Sequence, residues 1–142
     1  MGLALGENEV KPGTPAWSCV AVVQRGTEFL VLSRGFNVRN PAFPGGDSEP
    51  TDESPAFTAA RELYEETGVR AVKLRCIDRW VGDRNQPVFA FLVYEYRATP
   101  RLRVSEEGKP YWAPGHVLLT PGSDYRKDAE RLLHKLNVSP AA

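Results

Sequence analysis

Residues 43–69, FPGGDSEPTDESPAFTAARELYEETGV, constrain this chain more than any other stretch. A Pro-Gly-Gly turn leads into a polar loop and then into helix signals. Ser54 stands where an N-cap belongs, and Pro55 suits the first helical position. Asp52 and Glu53 fall beside the positive end of the helix dipole. Gly68 is placed for a left-handed C-terminal cap, so the expected helix covers about 55–67. Ala56, Ala59, Ala60 and Leu63 give it a small apolar stripe suited to packing on a sheet. Glu62, Glu65 and Glu66 are spaced i, i+3 and i+4, so three carboxylates share one face. Like charges at that spacing repel, and a helix serving only as scaffold gains nothing from them. A divalent cation turns the repulsion into attraction, because hard ions such as Mg²⁺ take oxygen ligands.

The elements on either side predict a sheet. The apolar, β-branched run 16–24 and the run 28–33 flank the turn Arg25-Gly26-Thr27, which predicts a hairpin. Residues 71–80 read as a further strand. Residues 88–97 are the most apolar run and are expected near the sheet centre. A charged loop is expected over 102–110, a short strand or bend over 111–114, and a further short piece over 116–119. An amphipathic helix is expected over 124–136, with Ala129, Leu132, Leu133 and Leu136 on one face. Strands and helices interleave without regular βα repeats, so the expected class is α/β with a mixed sheet between helices.

Bulk properties narrow the partners. The 142 residues, 42% of them hydrophobic, suffice for one domain with its own core; 1–13 and 138–142 are expected to be flexible ends. Eighteen basic residues balance eighteen acidic ones, which disfavours long nucleic acid as a partner but leaves a small phosphorylated ligand open. No stretch has the length of a membrane span or the plan of a secretory leader. Cys19 and Cys76 lack metal-ligand spacing and are expected as two buried thiols in a reducing compartment, so the expected location is cytoplasmic. Trp17 and Trp112 are expected to be exposed and could serve a homodimer interface.

These residues resemble the box of the Nudix hydrolases, G-x5-E-x7-R-E-U-x-E-E-x-G-U, where U is a bulky aliphatic residue. Glu53, then seven residues, then Arg61-Glu62-Leu63-Tyr64-Glu65-Glu66-Thr67-Gly68-Val69 match every defined position from the first Glu onward. The front end departs from the pattern, with six residues rather than five between Gly46 and Glu53. The longer spacing is similar to that of coenzyme A pyrophosphatases, in the box only.

The resemblance implies a Nudix-type α/β/α sandwich. It implies an enzyme that uses Mg²⁺ or Mn²⁺ to cleave a nucleoside diphosphate linked to another moiety. It maps metal binding onto Glu62, Glu65, Glu66 and the carbonyl of Gly45 (or Gly46). It gives Arg61 the part of holding a box carboxylate in place. Glu66 and Glu62 are the box candidates for the catalytic base, and Glu106 and Glu107 the loop candidates. Arg34, Arg39 and Phe36, in the stretch leading to the Gly-Gly turn, are candidates for substrate binding. Two alternatives stay open: a coenzyme A pyrophosphatase, and a domain of the same fold that senses a nucleotide without cleaving it.

Overall fold

The computed structural model describes residues 13–138, so the expected flexible ends lie almost wholly outside the described residues. β1 (Ser18–Arg25) and β2 (Glu28–Arg34) form the expected hairpin. They pair only at its tip, Gln24 with Phe29 and Arg25 with Glu28. Beyond the tip the strands part. β3 (Pro41–Ala42) pairs with the far end of β2, and β4 (Gly45–Asp47) pairs antiparallel with the start of β1, Gly45 opposite Val20 and Gly46 opposite Cys19. Only glycine allows this approach, since a Cβ on Gly45 would run into the Cys19 carbonyl.

β5 (Arg70–Val81) and β6 (Pro87–Arg97) form a long antiparallel pair, and β6 lies parallel to β1 along Ser18–Val23. β7 (Gly108–Pro114) pairs with β2 along its full length. The principal strand order is β3-β2-β1-β6-β5, a mixed sheet with the apolar β6 inside it, as expected.

The period-two alternation of β1 and β2 sorts the core onto two faces. Ala21, Val23 and Leu30 pack with Leu63 of α1 (Pro55–Thr67) on one face. Val22, Phe29 and Val31 pack with Ala129, Leu132 and Leu133 of α2 (Arg126–Lys135) on the other. The architecture is therefore an α/β/α sandwich.

The capping signals of α1 hold residue by residue. The Ser54 hydroxyl accepts from the Phe57 N–H, and Gly68 closes the helix at φ +80° by donating to the Tyr64 carbonyl.

Several expectations need correction. The loop over 102–110 ends early, because Gly108, Lys109 and Pro110 join β7; a partner strand, β2, recruits a polar segment that lacks strand character of its own. Residues Gly115–Leu119 form a 3₁₀ turn. α2 is shorter at both ends than expected. Cys19 is buried, but Cys76 is exposed on the outward side of β5; both thiols are free. Trp17 and Trp112 are half-buried rather than exposed.

On α1, Leu63 is fully buried and Phe57 is 47% exposed. Leu63→Ala should cost about 2–5 kcal/mol in urea unfolding, whereas Phe57→Ala should cost less than about 1 kcal/mol. Equal losses would mean that α1 packs through a different face.

Candidate active site

Two adjoining segments of chain create the site. β4 is held on β1 by its ladder, so Gly45 and Gly46, expected in a turn, are strand residues, and α1 packs over β1 immediately afterwards and sets its last two turns against them. The end of β2, the residues before β7, the β5–β6 turn and the start of α2 complete the walls of a cleft of about 970 Å³.

Glu66 lies at its floor, 1% exposed. Its Oε1 accepts from the Gly45 N–H at 2.9 Å, and its Oε2 accepts from Arg34 Nη1 at 2.8 Å. Arg34 Nη2 donates to the Gly45 carbonyl at 2.7 Å. Glu62 stands one turn back along the helix, close to Gly46: a Cβ there would lie 2.6 Å from the Glu62 carboxyl carbon. Burial raises both carboxyls. Glu62 is pushed up to about 7, first by burial and then by the charge of Glu66. Glu66 is pushed up by burial and partly brought back by Arg34.

Arg61 organises the other side. Its Nε and Nη2 make a two-pronged contact with Asp52, at 3.0 and 2.9 Å, and Nη2 also donates to the Asp47 carbonyl. Its Nη1 serves Glu62 at 3.0 Å and Glu65 at 3.1 Å. The Asp52 side chain is fully buried. It also accepts from the Thr58 hydroxyl at 2.7 Å and the Glu49 N–H at 2.9 Å, and Trp17 Nε1 donates to Thr58 in turn. These donors, Arg61 first, hold the Asp52 carboxyl well below the usual carboxylate range despite its burial.

The acidic partner of Arg61 is therefore Asp52, while Glu53 is exposed and outside this network. Asp52 follows Gly46 by five intervening residues, the spacing the box asks for, so the extra residue lies after the acidic position and not before it. Counting forward from Gly46, instead of back from Arg61, could have found it.

A latch that sequence reasoning missed closes one end of the cleft. Arg84, in the β5–β6 turn, donates to both carboxylate oxygens of Asp47, at 2.7 and 2.9 Å. Beneath it the buried Gln86 donates to the Ser18 hydroxyl, which donates to Asp47. No short-range pattern marks these residues, because they meet only through the β1–β6 pairing.

The remaining candidates divide. Arg34, Gly45, Glu62, Glu66 and Glu107 line the cleft, and Glu107 lies 3.5 Å from Arg34 Nη1. Glu65 is half-exposed and turned to Arg61. Phe36, Arg39 and Glu106 are exposed and do not line the cleft. Phe43 and Trp80 do line it, Phe43 edge-on to Phe29 in the core.

The donor chemistry of the floor fits a hard cation: two carboxylates and a main-chain carbonyl, all oxygen. As the side chains stand, no three His, Cys, Asp or Glu residues among those described are grouped to enclose an ion. Arginines occupy the oxygens instead.

The NUDIX domain profile matches residues 12–133, most of the chain. The chain belongs to the Nudix family. It is a hydrolase acting on pyrophosphate bonds. Solved structures agree on the fold. The MutT protein of Bacillus halodurans is similar over 83% of this chain and 82% of its own, at 23% identity and a TM-score of 0.66. The MutT protein of Methanosarcina mazei is similar over 91% of this chain and 100% of its own, at 24% identity and a TM-score of 0.63. The E. coli ORF135 protein is similar over 91% and 96%, at 21% identity and a TM-score of 0.66. No curated protein is matched by the sequence. No helix among the described residues is long and apolar enough to cross a membrane.

This Nudix box, with Asp52 as the partner of Arg61, yields a test. Asp52→Asn should cost about 3 kcal/mol at neutral pH, as expected for breaking a buried ion pair, whereas Glu53→Gln should stay within about 0.5 kcal/mol. Because folding lowers the Asp52 pKa, its contribution is complete above the unfolded value of about 3.9 and fades as pH falls towards the folded one. The gap between wild type and Asp52→Asn should therefore narrow below about pH 4. Urea titrations across the acid range measure it.

Proposed function

We propose that this Nudix hydrolase is a Mg²⁺- or Mn²⁺-dependent pyrophosphohydrolase acting on a nucleoside diphosphate linked to another moiety, with water attacking phosphorus. The observation that carries this is the pair of raised carboxyls, buried Glu66 and half-buried Glu62, set against Gly45 and Gly46 of β4 on the floor of an open cleft. Buried acids that repel each other destabilise a fold, and a cation bound between them removes the cost. Glu62, Glu66 and the Gly45 carbonyl would hold the ion, with Glu65 as a further ligand from the same helix face. Once bound, it would supply neutralisation of the phosphate oxygens and a water of lowered pKa.

The chain's own residues do the rest. Arg61 fixes the rotamers of Glu62 and Glu65 through its hold on Asp52. Glu62 and Glu66 remain the box candidates for the base that takes a proton from the attacking water. Of the two loop candidates, Glu107 at the cleft mouth is better placed than Glu106. Arg34, which lines the cleft, is the candidate for a phosphate contact, whereas Arg39 and Phe36 lie outside the cleft and are candidates only for a part of the substrate that reaches beyond it. A volume of about 970 Å³ accommodates a nucleotide derivative, and Trp80 and Tyr125 in its wall offer rings for a base to stack on. The two free thiols suit a reducing, cytoplasmic setting.

The test is a panel of nucleoside triphosphates, ADP-ribose, NADH, coenzyme A, nucleotide sugars and diadenosine polyphosphates, assayed with Mg²⁺ and with excess chelator. At least one should release a mononucleotide, and chelator should abolish the release. Glu62→Gln and Glu66→Gln should each lower kcat by roughly 10²-fold or more, with circular dichroism unchanged. Full activity in chelator would refute the mechanism. Thermal stabilisation by a nucleotide without any product would point to a sensing domain instead.

A further inference from the structure

We infer that Arg34 is a resident counter-ion that stands on the cation site and has to be displaced before that site can load. The inference rests on the assignment of Glu66 and the Gly45 carbonyl as metal ligands. Arg34 holds both at once: Nη1 donates to Glu66 at 2.8 Å, and Nη2 donates to the Gly45 carbonyl at 2.7 Å, with a longer contact to Glu66 at 3.4 Å. A guanidinium that spans both Glu66 and the Gly45 carbonyl leaves a divalent cation no room to bridge the same two groups, and the two charges would repel across a few ångströms of a partly desolvated pocket.

Arg34 is not built to stay. Its Nε is buried and is the one buried side-chain polar atom without a hydrogen-bond partner among the described residues. A desolvated, unsatisfied donor on a charged group is costly, so this seat suits Arg34 only as long as Glu66 needs a positive charge. Arg61 is the contrast. Its Nε and both Nη atoms have acceptors, and two of them face the fully buried Asp52. Arg61 is anchored, whereas Arg34, which also lies 5.8 Å from the centre of the Tyr125 ring, has Glu66 as its one close carboxylate partner.

A second acceptor waits on the way out. Glu107 Oε2 is 3.5 Å from Arg34 Nη1, and its side chain is 60% exposed at the cleft mouth. The guanidinium can pass from Glu66 to Glu107 without losing a carboxylate partner. In the outer position it faces the opening through which an anionic substrate enters. Loading the cation site therefore presents a free guanidinium to phosphate, and the two binding events help each other.

The test measures Mn²⁺ binding by electron paramagnetic resonance, without nucleotide and at mildly alkaline pH, for wild type and Arg34→Met. The variant should bind Mn²⁺ roughly tenfold more tightly, since one charged hydrogen-bonding partner of the ligands is gone. Its metal-free Tm should be lower than that of wild type, and its Tm gain with Mn²⁺ larger. Equal or weaker binding by the variant, or no binding by either protein, would overturn the inference. A second measurement needs no variant: the Arg34 Nε–H resonance of wild type should shift and lose exchange protection when Mg²⁺ is added, and an unchanged resonance would also overturn it. Tighter Mn²⁺ binding by Arg34→Met in a protein that hydrolyses nothing on the panel would refute the proposed hydrolysis and support the counter-ion.

Discussion

The buried carboxylate of Glu66 is the constraint on which the site depends. A carboxylate at 1% exposure cannot keep its charge unless donors surround it. Here the donors are the Gly45 N–H and the Arg34 guanidinium, and each fixes a different part of the fold. The Gly45 N–H is available because β4 presses against β1, which only a residue without a side chain allows. Arg34 is available because β2 parts from β1 after two paired residues at the hairpin tip and carries its end towards α1. Remove either arrangement and Glu66 has to protonate or turn away.

Around this centre the chain solves one electrostatic problem in two ways. Glu62, Glu65 and Glu66 repel one another on a single helix face. Arg61 settles the outer part of the problem within the metal-free fold, linking Glu62 and Glu65 to Asp52 and to the loop before the helix. Trp17 and Thr58 stiffen that linkage from behind. The inner part, at Glu62 and Glu66, is left incompletely resolved: burial keeps both carboxyls raised, and the charge of Glu66 adds to the rise at Glu62. Carboxyls raised in this way by burial and by a like charge cluster at functional sites.

What could be read from the sequence was local chemistry. Helix α1 was legible to its end residues because Ser54, Pro55 and Gly68 act on their immediate neighbours. The long strands were legible because alternation and β-branching do not depend on partners. The short strands β3 and β4 were not, since two or three residues become a strand only when a ladder receives them. The start of β7 was hidden for the same reason, its Gly108, Lys109 and Pro110 being drafted by β2. At the site, the glutamates of the helix were visible from spacing, while the choice between Asp52 and Glu53 required knowing which side chain turns inward. Arg84 and Asp47 meet because β1 lies beside β6, and no local pattern contains that fact.

The position of the extra loop residue ties these points together. Had it fallen between Gly46 and the acidic position, the stretch between β4 and Asp52 would have lengthened. It falls after Asp52 instead. The five-residue span from Gly46 to Asp52 is kept, and so is the Asp47 carbonyl that receives Arg61 Nη2. The added length is absorbed at exposed Glu53, just before the Ser54 cap restarts regular structure. Asp52 is also one methylene shorter than the glutamate of the family pattern, which brings its carboxylate closer to the backbone. From there it accepts the Glu49 N–H and the Thr58 hydroxyl as well as Arg61, and a longer side chain would have to find room for the same contacts in a fully buried space. The shorter acid and the displaced insertion therefore belong together: both sit in the loop between β4 and α1, and Arg61 still reaches Asp52, Glu62 and Glu65 from the helix.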